Sequence, residues 1–361
     1  MPATDALTAT PDLPVEPRYE RDAGFLEALR ARVRAGLASA GLPARGVPAL
    51  YWKTALLFLW LCGSYLALVF GTAPAWLAVP LAVSLGFAIA GIGFNVMHDG
   101  SHGSYSTRPW LNRLMARSLD LLGGSSFVWQ RKHNVLHHTW PNLQGVDDDL
   151  DTGALARLSR GQSLRGYHRF QHLYMWPLYA FLSLKWQLFD DFATIASGRM
   201  SGRPFPRPRG VELAVFVGGK LVFFLLAFGL PLLLHPARSV LGVYLLVSAV
   251  AGLTLSIVFQ LAHCVPEADA GSELGSWAAR QVRASVDFAR HNRLLGSYVG
   301  GLNFQIEHHL FPQICHLHYP RLAPIVEQTC REFGVRYTAH PTLRSAIAAH
   351  YRHLRALGRA S

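Results

Sequence analysis

From Thr54 to Met97 the chain runs 44 residues without an Asp, Glu, Lys or Arg. A membrane-spanning helix needs about 20 predominantly apolar residues, so this run predicts two of them. The tight turn between them falls at Gly71-Thr-Ala-Pro74. A second apolar region extends from Val211 to about His263, interrupted by Lys220 and by Leu234-His-Pro-Ala-Arg238. Composition agrees, since 51% of the 361 residues are hydrophobic and only 16% charged, against about 25% charged in soluble domains. The expected fold is an all-α integral membrane protein with four transmembrane helices in two hairpins, near residues 50–70, 76–97, 211–233 and 240–262. Interfacial helices and a cytoplasmic, histidine-rich metal-binding cap complete it.

Basic residues give the orientation. The two connecting turns carry one of them, Arg238, and nearly all other Lys and Arg lie on the opposite side. By the positive-inside tendency both termini and the cap face the cytoplasm. The net charge of +12 suits anionic headgroups or an acidic redox partner. Residues 1–22 are polar and proline-bearing, lack the apolar core of a signal peptide, and read as a mobile tail. Residues 23–340 form the membrane domain and 341–361 a basic C-terminal segment whose histidines, with His340, read as surface residues. The four cysteines show no C-x-x-C pairing and read as reduced structural thiols.

Three histidine clusters adjoin the apolar regions: His98-Asp-Gly-Ser-His102, His133-Asn-Val-Leu-His137-His138 and Gln305-Ile-Glu-His308-His309. Imidazole is the commonest protein metal ligand near neutral pH. His98 and His102 are spaced i, i+4, as are His133 and His137, so each pair shares a face if helical. His263, at the end of the last apolar run, brings the number to eight, too many for one ion, and two ions are the economical reading. Such a donor set suits iron, copper or zinc rather than calcium or magnesium. The zinc-hydrolase pattern H-E-x-x-H is absent, and its inverted form fails because Phe304 stands where its first histidine belongs. No phosphate-cradling glycine loop occurs, and nothing points to a nucleic-acid partner. Redox metal chemistry beside a membrane remains.

The boxes and their surroundings resemble those of the membrane fatty acid desaturases: Gly93-Phe-Asn-Val-Met-His-Asp-Gly-Ser-His102, Lys132-His-Asn-Val-Leu-His-His-Thr139 and Gly301-Leu-Asn-Phe-Gln-Ile-Glu-His-His-Leu-Phe-Pro312. The likeness covers roughly residues 50–337, and Gln305 resembles the front-end and bacterial acyl-CoA or acyl-lipid branch. It implies a non-haem di-iron centre that uses O2 and two electrons to remove two hydrogens from a fatty acyl chain. The implied iron ligands are His98, His102, His133, His137, His138, His263, His308 and His309, with Gln305 holding a water or hydroxide near one iron. No His-Pro-Gly-Gly haem motif of a fused cytochrome b5 is present. Electrons are therefore expected from a separate ferredoxin or cytochrome b5 with its NAD(P)H-dependent reductase.

Asp99, and Asp147 or Asp149, are candidates to orient ligand imidazoles through their second ring nitrogen. Asn95, one turn before the first box, is placed to bond a ligand or line the cavity. Arg131 and Lys132 are candidates to grip the phosphate of an acyl carrier, or else to snorkel at the interface. His168 and His172 read as structural, and Trp129, Trp140 and Trp186 as cavity walls or interfacial aromatics. A hydroxylase or ketolase acting on a lipid, carotenoid or sphingoid base is the near alternative. A non-catalytic membrane metal-binding protein is the remote one, because ionisable groups at the membrane are costly and usually functional.

Overall fold

A computed structural model describes residues 18–71, 74–150, 152–268 and 275–359. Most of the expected N-terminal tail and the centre of the first connecting turn lie outside these residues. Four helices are long and apolar enough to cross a membrane. They follow the lead-in helix α1 (Phe25–Ser39) and are α2 (Pro48–Phe70), α3 (Trp76–His102), α5 (Val211–Leu234) and α6 (Ala237–His263). Between α3 and α5 runs a chain of short helices that includes α4 (Gln171–Tyr179). Beyond α6 come α7 (Trp277–Arg283), α8 (Gln305–Leu310), α9 (Tyr319–Glu332) and α10 (Leu343–Leu357).

Leu56, Leu59, Leu66, Leu221 and Leu233 all stand exposed on α2 and α5. Water would not tolerate so continuous an apolar surface, and lipid does. The central pair is α3 with α6, packed through Ala82, Leu85 and Val247. Gly86 makes this approach possible: a Cβ there would lie 2.7 Å from the Cβ of Val250.

The second hairpin opens toward the cap. Helices α5 and α6 meet mainly near their connecting turn, and residues 182–190 fill the wedge between them. On one side the wedge rests on small residues of α6, where a Cβ on Gly252 would meet the Ala180 carbonyl at 2.7 Å. On the other, Lys220 of α5 donates to the carbonyls of Gly123 (2.6 Å) and Gln187 (3.3 Å) and pairs with the Asp191 carboxylate at 2.8 Å.

The cap is built from α1, α7, α8 and α9 around Leu29, Ile306, Leu322 and Val326. A two-residue parallel ladder, β3 (Asp287–Phe288) with β4 (Ala339–His340), ties its ends together, and a second short ladder, β1 (Arg199–Met200) with β2 (Arg203–Pro204), precedes α5. The basic C-terminal segment is not peripheral. Helix α10 packs against the inner end of α6, and His350, expected at the surface, is fully buried there. Its Nδ1 donates to the Cys264 carbonyl at 2.7 Å, and its Nε2 lies 2.7 Å from the Tyr179 hydroxyl. His340 is also buried. The four cysteines are free thiols. His168 and His172 are held by local contacts, His168 with the Ala154 carbonyl and His172 edge-on to Tyr351.

Candidate metal centre

The first two boxes are shaped by π-helical turns, at Gly93–Met97 just before His98 and at Gln130–His137. In an α-helix, residues five apart point about 140° away from each other. The i→i+5 closure of a π-turn brings them back toward one side. His133 and His138 accordingly place their Nε2 atoms 3.3 Å apart, while His137 turns toward a second group. In the third box, Gly300 adopts a left-handed φ of 63° and lies so close to the Phe94 carbonyl that a Cβ would sit 2.4 Å from it. The loop before α8 is thereby pressed onto the first π-turn.

All eight histidines converge in two adjoining groups. The ligand atoms of His98, His102, His133 and His308 lie within 4.8 Å of one another, as do those of His137, His263 and His309. His138 joins the first group, 3.0 Å from the Nε2 of His308, and its ring stacks on His309 of the second. Within the groups His98 and His133 approach to 3.2 Å, and His263 and His309 to 3.2 Å, each through Nε2. The Nε2 atoms of His102 and His137 are buried without a hydrogen-bond partner among the described residues.

These contacts are those of lone pairs facing a common point. A proton can serve only one pair of nitrogens, whereas nitrogens bound at right angles to an ion at about 2.1 Å lie about 3 Å apart. Burial, reinforced by the neighbouring imidazoles, pushes His133, His138, His308 and His309 well below the ordinary histidine pKa and keeps them neutral. Neutral imidazole is the form that binds metal. The donor set fits two metal ions.

The second ring nitrogens are held from outside. His137 Nδ1 donates to Asp147 at 2.9 Å, His309 Nδ1 to the Gln281 side chain at 3.0 Å, and His263 Nδ1 to the Ala284 carbonyl at 3.1 Å. The Tyr319 hydroxyl stands 3.3 Å from His308 Nδ1. Burial alone would lower the pKa of His137, but the Asp147 carboxylate outweighs it and raises the value. Asp147 is itself fixed by the backbone amides of Asn142 (2.9 Å) and Asp149 (3.1 Å).

Asp147 thus lies at the second ring nitrogen of His137, where an orienting carboxylate was expected, and Asp149 lies 3.8 Å from the same nitrogen. Asp99 does not orient a ligand. Successive helical residues diverge by about 100°, and Asp99 points away from His98 to bond His316 Nδ1 at 2.9 Å. The other nitrogen of His316 is 3.0 Å from Lys53 Nζ. Asn95 makes no hydrogen bond to a histidine among the described residues; its amide donates to the carbonyls of Gly91 and Tyr298, both at 2.8 Å, and ties α3 to the segment before the third box. Lys132, expected to meet a phosphate, is paired with Asp148 at 2.9 Å and Asp149 at 3.1 Å. Arg131 is half-buried on the same turn. Gln305 sets its amide 3.0 Å from His263 Nε2, in the three-histidine group.

Sequence reasoning missed Gln281, the Ala284 carbonyl, Tyr319 and Asn142. The Asn142 amide donates to the carbonyls of His263 (3.0 Å) and Ala284 (3.1 Å). Buried Arg280 adds a link from α7 to the Pro141 carbonyl at 2.9 Å. Asn142, just after the second box, and Tyr319, in the Cys315-His-Leu-His-Tyr319 stretch that closely follows the third, stood near a box and could have been suspected.

A cavity of about 510 Å³ opens beside the first group, with Trp129, Lys132, Trp186, Asp191 and Thr194 in its wall. The Trp129 ring stacks on His133 with centroids 4.5 Å apart and meets Trp186 edge-on at 5.5 Å. Trp140 is buried elsewhere, under the Arg203 guanidinium. The chain matches the fatty acid desaturase family over residues 74–341. It belongs to that family. It is 37% identical to an sn-1 linoleoyl-lipid 6-desaturase of Synechocystis sp., over 95% of this chain and 98% of the relative. An Arthrospira platensis protein of the same name is 36% identical over 92% of both chains. An acyl-lipid (8-3)-desaturase of Physcomitrium patens is 37% identical over 82% of this chain and 63% of its own length. This desaturase is a membrane enzyme acting on fatty acyl chains, as its boxes and apolar helices foretold.

Proposed function

We propose that this desaturase introduces a front-end double bond, at the 6 position, into an acyl chain carried by a membrane glycerolipid. Two iron ions serve it, with O2 as co-substrate and electrons from a separate ferredoxin or cytochrome b5 and its NAD(P)H-dependent reductase. The observation that carries this reading is the pair of histidine groups at the inner ends of α3 and α6, beside a tryptophan-walled cavity. The names of the two cyanobacterial relatives support the 6 position and the lipid carrier.

Iron, when bound, supplies the activation of O2 by two electrons. Overall, one CH2–CH2 unit loses two hydrogens and becomes CH=CH, while O2, two electrons and two protons complete two waters. The residues of the chain hold and screen that chemistry. Asp147, Gln281 and the Ala284 carbonyl keep the protons of His137, His309 and His263 on Nδ1, so that each Nε2 faces inward. Trp129 and Trp186 present apolar faces that exclude water from the approach to His133. Gln305 supplies an amide where a fourth imidazole of the smaller group would stand, 3.0 Å from His263 Nε2, and its role in this reading is to hold a water or hydroxide near one iron.

Fatty acid profiling by gas chromatography and mass spectrometry, in a heterologous host fed linoleate, tests the reading. A product unsaturated at carbon 6, found in glycerolipids and absent with His138→Ala, is the expected result. A hydroxylated product, or no product in a host shown to supply iron and electrons, overturns it.

A further inference from the structure

Helix α10 and the segment leading into α4 form one face without a single acidic residue. Neither residues 152–189 nor residues 341–361 contain an Asp or Glu. On α10, Arg344, Arg352 and Arg355 all stand exposed, at intervals of eight and three residues that place them on one stripe. None has an ion-pair or hydrogen-bond partner among the described residues. Between α10 and α4 lies a shallow groove with Trp176, Ile347, Ala348 and Tyr351 as its apolar floor and Arg344 and Arg352 at its rim. Beside it the apolar side chains of Leu173 and Phe181 are more than half exposed, at 56% and 57%.

The height of this groove follows from α6. Its 27 residues span about 40 Å at 1.5 Å each, about 10 Å more than the hydrocarbon core. His263, the last residue of α6, belongs to the histidine groups on the cap side, and an excess at that end lifts the last turns of α6 into the headgroup layer. Those turns are where Ile257 and Cys264 meet Trp176, Ile347 and Leu354. Unpaired guanidinium groups at phosphate depth, above an apolar floor and next to exposed Leu and Phe, have the chemistry of a lipid seat.

We infer that this groove binds an anionic phospholipid of the surrounding bilayer, its phosphate held by Arg344 and Arg352 and its acyl chain lying past Trp176 toward Leu173 and Phe181. An acidic redox protein would match the charge. It would leave Leu173 and Phe181 bare in water, and that favours the lipid.

Native mass spectrometry of the full-length protein, released from detergent with phosphatidylglycerol or phosphatidylcholine, tests the site without turnover, so its outcome is independent of the proposed reaction. The native protein should retain phosphatidylglycerol in preference. Arg344→Gln/Arg352→Gln should weaken that retention about thirty-fold, two basic residues contributing about 1 kcal/mol each. Arg344→Lys/Arg352→Lys, which keeps the charge, should restore most of it and exclude misfolding as the cause. Equal retention of both lipids, or retention unchanged in the Gln variant, overturns the inference. So does full displacement by glycerol 3-phosphate, which would make the ligand a free phosphate. A Gln variant that keeps its lipid but is reduced more slowly by an acidic ferredoxin would assign the face to the redox partner and equally overturn it.

Discussion

What a histidine can offer a metal is decided at its other nitrogen. Asp147 is buried, fixed by two backbone amides, and bonded to the Nδ1 of an equally buried His137. Asp147→Asn removes the charge and leaves an amide that can present its NH2 to the ring, favouring the wrong tautomer. Loss of an outer partner of this kind typically costs 10–100-fold in metal affinity or activity. We expect a fall of about that size in turnover, with a parallel fall in iron per chain measured by inductively coupled plasma mass spectrometry. Full iron loading with full activity would contradict the role. At this scale the eight converging histidines were legible, seven because the spacing within a box is a local property of the chain and His263 because it ends an apolar run. Gln281 and the Ala284 carbonyl were not, since they reach the site from a segment whose sequence carries no metal signature. Asp99 misled for the converse reason: adjacency in sequence is divergence on a helix.

Elements bring a different kind of information. The transmembrane helices follow from hydropathy, and their observed bounds lie within a few residues of those expected. The π-turns do not, although they decide that His133 and His138 share a group. Nor does the wedge between α5 and α6. Lys220 was visible only as an interruption of an apolar run, with nothing to say that Asp191, 29 residues earlier, would meet it. That pair is 6% exposed on both sides, and breaking a buried pair from one side typically costs about 3–5 kcal/mol because it strands the other charge. Lys220→Met should therefore lower the melting temperature of the purified protein sharply. Lys220→Met combined with Asp191→Leu should recover much of the loss, since a well-packed apolar pair is often as stable as the ion pair it replaces. If the single variant melts like the native protein, the pair does not hold the wedge. Because Asp191 and Trp186 both line the cavity, the wedge also fixes the wall nearest His133.

The whole molecule is asymmetric across the membrane. On one side stand two short turns, the second carrying His235, whose Nε2 bonds the Val69 carbonyl at 2.8 Å. On the other stand the cap, both histidine groups and the arginine stripe of α10. The sequence expressed this imbalance as one basic residue in the turns against nearly all the rest elsewhere, and the positive-inside tendency reads it as a cytoplasmic cap. The fold adds a reason of its own. Two hairpins that carry few charges insert easily, whereas carrying across a cap held by buried contacts such as Arg280 with the Pro141 carbonyl would mean translocating most of the charge of the chain. Single cysteines in a cysteine-free background separate the two orientations. A cysteine at Arg238, beside the second turn, should react with a membrane-impermeant maleimide on intact cells. One at Arg355, on the outer face of α10, should react only after the membrane is opened. The reverse pattern would place the site outside the cytoplasm, away from soluble ferredoxin and its reductase, and the electron supply proposed for this desaturase would fail with it.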